Sequence, residues 1–282
     1  MESSIPAQDG LLLWAETFGD RHDPAVLLIM GATAPGIVWP DELCRLLAAA
    51  GYYVVRYDHR DTGRSGKSAD EYDLATLAAD AAAVTTGLGV GPAHVVGQSA
   101  GGMVAQLLAL TRPELVSSLV LLSTAANPNP DGPPPPPQPT PPPAPPEEPG
   151  IAAVAGWRTL VGPNAPFDQA YWGNLVERVA ARGSAPDTSG RHLTAMARTP
   201  SLFGRITALR VPTLVVHGDR DPVFSLELGE ALHRAIPRAQ FRCIPGMGHI
   251  FPPQWSPLIS RLITNHLRLA APEHADPGQP VS

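Results

Sequence analysis

The apolar run AVLLIM at residues 25–30 stops at Gly31, and the chain then alternates two kinds of pattern. Unbroken apolar stretches too short for a helix read as strands buried on both faces. Further strands are expected at residues 52–57 (YYVVRY), 93–96 (AHVV), 119–122 (LVLL), 213–216 (TLVV) and 240–244 (QFRCI), where single polar or charged residues interrupt some of the runs. Between them lie segments with helical spacing at residues 41–50, 74–86, 101–110, 226–235 and 255–269. Gly51 closes the first helix, and Pro113 follows the third as a stop. Strand and helix in alternation imply right-handed crossovers and a mostly parallel sheet covered on both faces. Residues 11–18 alternate less cleanly and are expected to add an antiparallel edge strand.

The alternation breaks at residue 127. Residues 128–149 hold 14 of the chain's 34 prolines, a composition without backbone donors and with little to bury. Residues 127–150 are therefore expected to be a proline-rich linker. Residues 151–205 follow, with Trp157, Leu160, Phe167, Tyr171, Trp172, Leu175 and Val179 spaced for two or three helices, the first ending near Gly162. The expected organisation is an α/β core in two parts, residues 1–126 and 206–270, with a helical cap over residues 151–205. A disordered tail is expected over residues 271–282. Ligands of open α/β sheets bind at the carboxyl edge of the strands, the edge such a cap would cover.

Composition narrows the function classes. The chain has 282 residues, enough for one large domain with an insertion, and a formal net charge of −6. A mildly acidic chain argues against nucleic acid and anionic membranes as partners. The start, MESSIPAQDG, lacks a basic region followed by an apolar run, and no apolar stretch is long enough to span a bilayer. Cys44 and Cys243 have no metal-ligand spacing and are expected to be buried, one in a helix and one in a strand. A cytoplasmic location is expected.

The candidate chemistry begins at Gly97-Gln98-Ser99-Ala100-Gly101. This G-x-S-x-G element stands directly after a strand and directly before a helix, as a nucleophile elbow requires. Its glycines would let strand and helix approach closely, and the helix would aim amide groups at charge forming beside Ser99. A serine hydroxyl needs a base. His249, in Gly246-Met247-Gly248-His249 after the last strand, completes the chain order serine, acid, histidine. His217 ends a strand beside the expected acid loop, and His94 begins the strand leading to Ser99. For the acid, Gly218-Asp219-Arg220-Asp221-Pro222 offers two carboxylates. Asp221 is the choice, because the turn must be complete before a side chain can swing back to the imidazole. Asp219 is better placed to hold turn amides. The oxyanion hole is expected from the backbone amides of Ala100 and of Ala32, the latter in the loop after residues 25–30. No metal site, dinucleotide motif or cofactor requirement is read from the sequence.

Further segments carry a family resemblance: LLIMG at residues 27–31, WPDE at 39–42, RYDHRDTGRS at 56–65, AHVVG at 93–97, and IPGMGH at 244–249. The W-R-x-L-x-G and P-F-D elements of residues 157–168 add to it. On these the chain resembles the α/β-hydrolase superfamily over nearly its whole length, and within it the aclacinomycin methylesterase group of actinobacterial polyketide pathways. The resemblance implies an α/β-hydrolase fold and a cofactor-free carboxylic ester hydrolase acting on a bulky aromatic polyketide-like substrate. It implies the triad Ser99, Asp221 and His249 at the matching positions. Two departures stand out: Ala100 where the group commonly has Met, and the proline-rich stretch before the cap. Residues 56–65 also fit a salt-bridged loop supporting the active-site edge, with direct substrate contact from His59 or Arg60 as the other reading.

The expected function is hydrolysis of a small-molecule carboxylic ester, such as the methyl ester of an aromatic polyketide, through an acyl-enzyme. A thioester would suit the same machinery. The rivals are a cofactor-free lyase, cyclase or perhydrolase on the same scaffold, and a binding protein without catalysis. Turnover of p-nitrophenyl esters with and without hydrogen peroxide separates the first, and fluorophosphonate labelling the second.

Overall fold

The computed structural model describes residues 1–126, 149–183 and 186–270. Eight strands form one sheet: β1 (Glu2–Pro6), β2 (Leu12–Phe18), β3 (Ala25–Ile29), β4 (Tyr53–Tyr57), β5 (Ala93–Gln98), β6 (Val116–Leu122), β7 (Thr213–Gly218) and β8 (Gln240–Ile244). Their spatial order is β1-β2-β4-β3-β5-β6-β7-β8. β1, β2 and β4 pair antiparallel in turn, and all remaining neighbours pair parallel.

The helices are α1 (Asp41–Ala49), α2 (Leu74–Gly87), α3 (Ala100–Thr111), α4 (Pro149–Val161), α5 (Gln169–Ala181), α6 (Pro186–Arg198), α7 (Leu226–Ala235) and α8 (Ser256–Ala270). The period-two pleat of the central strands explains the unbroken apolar runs. Leu27 and Ile29 join a core with Leu77, Met103, Leu108 and Leu232, from α2, α3 and α7. Val26, Leu28 and Met30 join a second core with Leu43, Leu47, Ile259 and Ile263, from α1 and α8. A third, smaller cluster gathers Val161, Ala165, Trp172 and Leu175 of the insertion with Ile250. Among the described residues, no helix is long and apolar enough to cross a membrane.

Several expectations are corrected. The strand at residues 11–18 is antiparallel but is not at the edge, because β1 pairs outside it. β5 runs on to Gln98 and β6 begins at Val116, so both are longer than their apolar runs. The first helix of the insertion takes in Pro149 and Gly150, which were expected to end the linker. Cys44 is buried in α1, whereas Cys243 is exposed, because it lies on β8, the far edge strand, where Gln240 and Arg242 are exposed as well. The linker expected at residues 127–150 lies, over 127–148, outside the described residues, as does the tail at 271–282.

Candidate active site

Ser99 stands between β5 and α3 with φ 55° and ψ −126°, a strained backbone for a residue with a Cβ. Its neighbours explain the motif. A Cβ on Gly97 would lie 2.4 Å from the Gly101 carbonyl oxygen, and one on Gly101 would lie 2.2 Å from that of Ile29. Only glycine fits at either place, so the glycines are what let α3 start hard against the sheet.

His249 Nε2 is 2.9 Å from Ser99 Oγ, and its Nδ1 is 2.9 Å from Asp221 Oδ2. With Nδ1–H donating to the carboxylate, Nε2 is left to accept from the serine hydroxyl. Asp221 is itself fixed: Oδ1 accepts from the amides of Val223 (2.8 Å) and Phe224 (2.9 Å). His217 Nε2 lies 3.4 Å from Asp221 Oδ2 and 2.9 Å from the Phe224 carbonyl oxygen. His217 thus stands behind Asp221 rather than beside Ser99. Burial lowers its pKa and favours the neutral ring. Asp219 Oδ1 accepts from the Gly246 amide at 2.7 Å and does not reach the imidazole loop's side chain. His94 pairs with Ser118, away from the serine.

The loop carrying His249 is clamped from two sides. Gln98 Nε2 donates to the His249 carbonyl oxygen at 2.9 Å. From the insertion, the last turn of α4 offers its unpaired carbonyls: Leu160 O accepts from His249 N at 2.7 Å, and Val161 O accepts from Gly248 N at 2.9 Å. Neither clamp was read from the sequence. Gln98 occupies the free position of the elbow motif, and backbone contacts of α4 leave no residue signature.

Ala100 opens α3, and Ala32 lies in the turn after β3. A Cβ on Gly31 would come within 3.1 Å of Ser99 Cβ, so this turn passes directly beside Ser99. Ser99, His249, Gly31 and Ala32 face a cavity of about 170 Å3, with apolar walls that include Val38, Trp157, Leu160 and Ile250. A larger groove of about 560 Å3 lies between α4 and α5, lined by residues such as Ile151 and Phe167, and contains none of Ser99, Asp221 and His249. Among the described residues, no three His, Cys, Asp or Glu side chains gather as a metal ion would require.

Residues 56–65 form the supporting loop. Arg60 makes paired 2.6 Å bonds to Asp80, both side chains buried. Asp58 accepts from the amides of Gly36 and Arg64. His59 and Arg60 are buried and held by protein partners, which favours support over substrate contact.

A mostly parallel sheet covered on both faces, with a serine on a sharp strand-to-helix turn at its carboxyl edge, defines the α/β-hydrolase class. The sequence profile of the alpha/beta hydrolase fold matches residues 24–154. The chain is 32% identical to a rhodomycin D methylesterase of Streptomyces peucetius, over 96% of this chain and 99% of the relative. It is 31% identical to a second rhodomycin D methylesterase, from Streptomyces sp. strain C5, over the same shares. Among solved structures, a hydrolase of Pseudomonas aeruginosa superposes with a TM-score of 0.74 at 25% identity, covering 94% of this chain and 98% of that one. The chain belongs to the α/β-hydrolase family, and within it resembles the rhodomycin D methylesterases along nearly its full length.

Proposed function

We propose that this carboxylic ester hydrolase works through a serine acyl-enzyme and removes a small alcohol, in the first instance methanol, from an aromatic polyketide ester. The observation that carries the mechanism is the unbroken chain Ser99 Oγ, His249 Nε2, His249 Nδ1, Asp221 carboxylate, with every link at 2.9–3.0 Å. In this reading Ser99 attacks the ester carbonyl as His249 takes its proton. The amides of Ala32 and Ala100 hold the oxyanion, and His249 returns the proton to the departing alkoxide. A water activated by the same imidazole then releases the acid. The helices α4–α6 act as the cap, with Trp157 and Leu160 walling the cavity above the nucleophile. Support for the substrate class comes from the two relatives, both named as methylesterases of rhodomycin D. The acidic chain and its two unpaired cysteines favour a cytoplasmic setting.

The test is Ser99→Ala in the full chain, assayed on p-nitrophenyl esters and on an aromatic polyketide methyl ester, with fluorophosphonate labelling in parallel. We expect kcat to fall on the order of 10⁴-fold or more and labelling to vanish, with the fold intact by circular dichroism. Turnover near that of the wild type in Ser99→Ala would defeat the mechanism. Activity on simple esters but none on polyketide methyl esters would defeat the substrate assignment alone.

A further inference from the structure

We infer that His192 and His59 are positioning residues for the oxyanion turn: two buried imidazoles pin the backbone on either side of the peptide that carries the Ala32 amide. The inference rests on the reading of Ser99 as nucleophile and Ala32 N–H as an oxyanion donor.

The turn after β3 contains three successive peptides. The first presents the Met30 carbonyl, and His59 Nε2 lies 2.9 Å from that oxygen. The third presents the Thr33 amide, and it donates to His192 Nδ1 at 3.0 Å. The peptide between them carries Ala32 N–H. Its orientation follows from its two neighbours, since each peptide is planar and only two dihedrals join it to the next. Thr33 sits at φ 67°, a left-handed conformation that a β-branched residue rarely adopts. Such a turn persists only when its surroundings determine it, and the His192 bond is the side-chain contact made to that amide.

The tautomers are set by the same contacts. Because His192 Nδ1 accepts from Thr33, its proton lies on Nε2, which donates to the Arg60 carbonyl at 2.9 Å. His59 donates from Nε2 to Met30, which leaves Nδ1 to accept from the Tyr57 hydroxyl at 3.4 Å. The two rings meet edge to face with centroids 5.4 Å apart. Burial favours the neutral ring in both, lowering the His59 pKa to about 3 and that of His192 below its ordinary value. His192 belongs to α6, so a helix of the insertion reaches the turn through one imidazole. Nothing in the sequence marked His192: it is a single histidine in an amphipathic segment.

Two isosteres of the imidazole separate positioning from packing. His192→Asn places a side-chain oxygen where Nδ1 stood and keeps an acceptor for Thr33. His192→Gln reaches instead toward the Nε2 position and keeps a donor for the Arg60 carbonyl. Both are assayed in the full chain on a p-nitrophenyl ester and on the matching thionoester, whose larger, weakly accepting sulfur gains little from an oxyanion hole. The oxo-to-thiono ratio is read per active molecule, so a reduced folded fraction does not move it. We expect His192→Gln to lower kcat about 10- to 100-fold with KM within about threefold, and to lower the oxo-to-thiono ratio in step. His192→Asn should recover most of both. Equal losses in the two variants with an unchanged ratio would mean that His192 only packs, and wild-type behaviour of His192→Gln would overturn the inference outright. Ser99→Ala is run alongside: if it stays active, the underlying reading fails with the inference, and if it is inert while His192→Gln is unaffected, only the inference fails.

Discussion

Asp219 and Asp221 stand two positions apart in one loop and serve different partners. Asp221 receives the imidazole and two backbone amides, and Asp219 receives the Gly246 amide of the neighbouring loop. An asparagine at 219 can still accept that amide. At 221 it would present either an amide donor to Nδ1–H or the wrong tautomer to Ser99. Asp221→Asn is therefore expected to cost about 10⁴-fold in kcat. Asp219→Asn should cost about tenfold at most, and steady-state kinetics of the two variants decides the order. At this scale the meeting of Ser99, Asp221 and His249 could be read from chain order and glycine spacing. Gln98 and His192 could not, and of His59 only its place in a supporting loop could, because each bonds a backbone atom whose position only the fold supplies.

At the scale of elements, burial made the central strands legible, whereas β8, exposed at Gln240, Arg242 and Cys243, was legible from its place between α7 and the glycine loop that carries His249. β3 and β7 are buried along their whole lengths and announced themselves as apolar runs. β1 is a short edge strand with serines at two positions and one buried residue, Ile5, and gave no such signal. The junction of α4 with the His249 loop shows what sequence patterns omit. A Cβ on Gly248 would fall 2.2 Å from the Leu160 carbonyl oxygen, which is backbone and cannot turn aside. Gly248→Ala should push the loop off α4, costing about 1–3 kcal/mol of stability by overpacking. Displacement of His249 should lower kcat about tenfold or more. Denaturant melts and kinetics test both, and an unchanged kcat in a destabilised variant would show that the junction does not position the base.

Across the whole molecule, burial favours the neutral form of His59, His94, His192, His217 and His266, taking His59 to about 3, His94 to about 4 and the others below their usual value. In the unfolded chain these rings take up protons near pH 6.5, while the native state resists. The unfolded state then binds more protons, so stability falls as the pH drops below about 6.5 and keeps falling until the native rings protonate. Asp58 and Asp80, raised by burial, oppose this, but their ordinary carboxylate range lies lower. Thermal melts from pH 7.5 to 5 should show Tm declining by on the order of 5 °C or more. A flat profile would mean that the rings protonate without unfolding.

The insertion is bonded to the His249 loop through the carbonyls of Leu160 and Val161, and to the turn after β3 through the imidazole of His192. It is therefore a poor candidate for an interchangeable part. A recombined segment fits only if it brings carbonyls that seat the His249 loop and a ring that accepts from the Thr33 amide, two demands that have nothing to do with the shape of the substrate. Change in substrate range is steered toward single side chains on the cavity wall, such as Val38, Trp157 and Ile250, which can be altered while the two attachments stay in place. Libraries that shuffle whole segments should yield mostly inactive proteins, and those that vary the wall should keep turnover while shifting which esters are accepted.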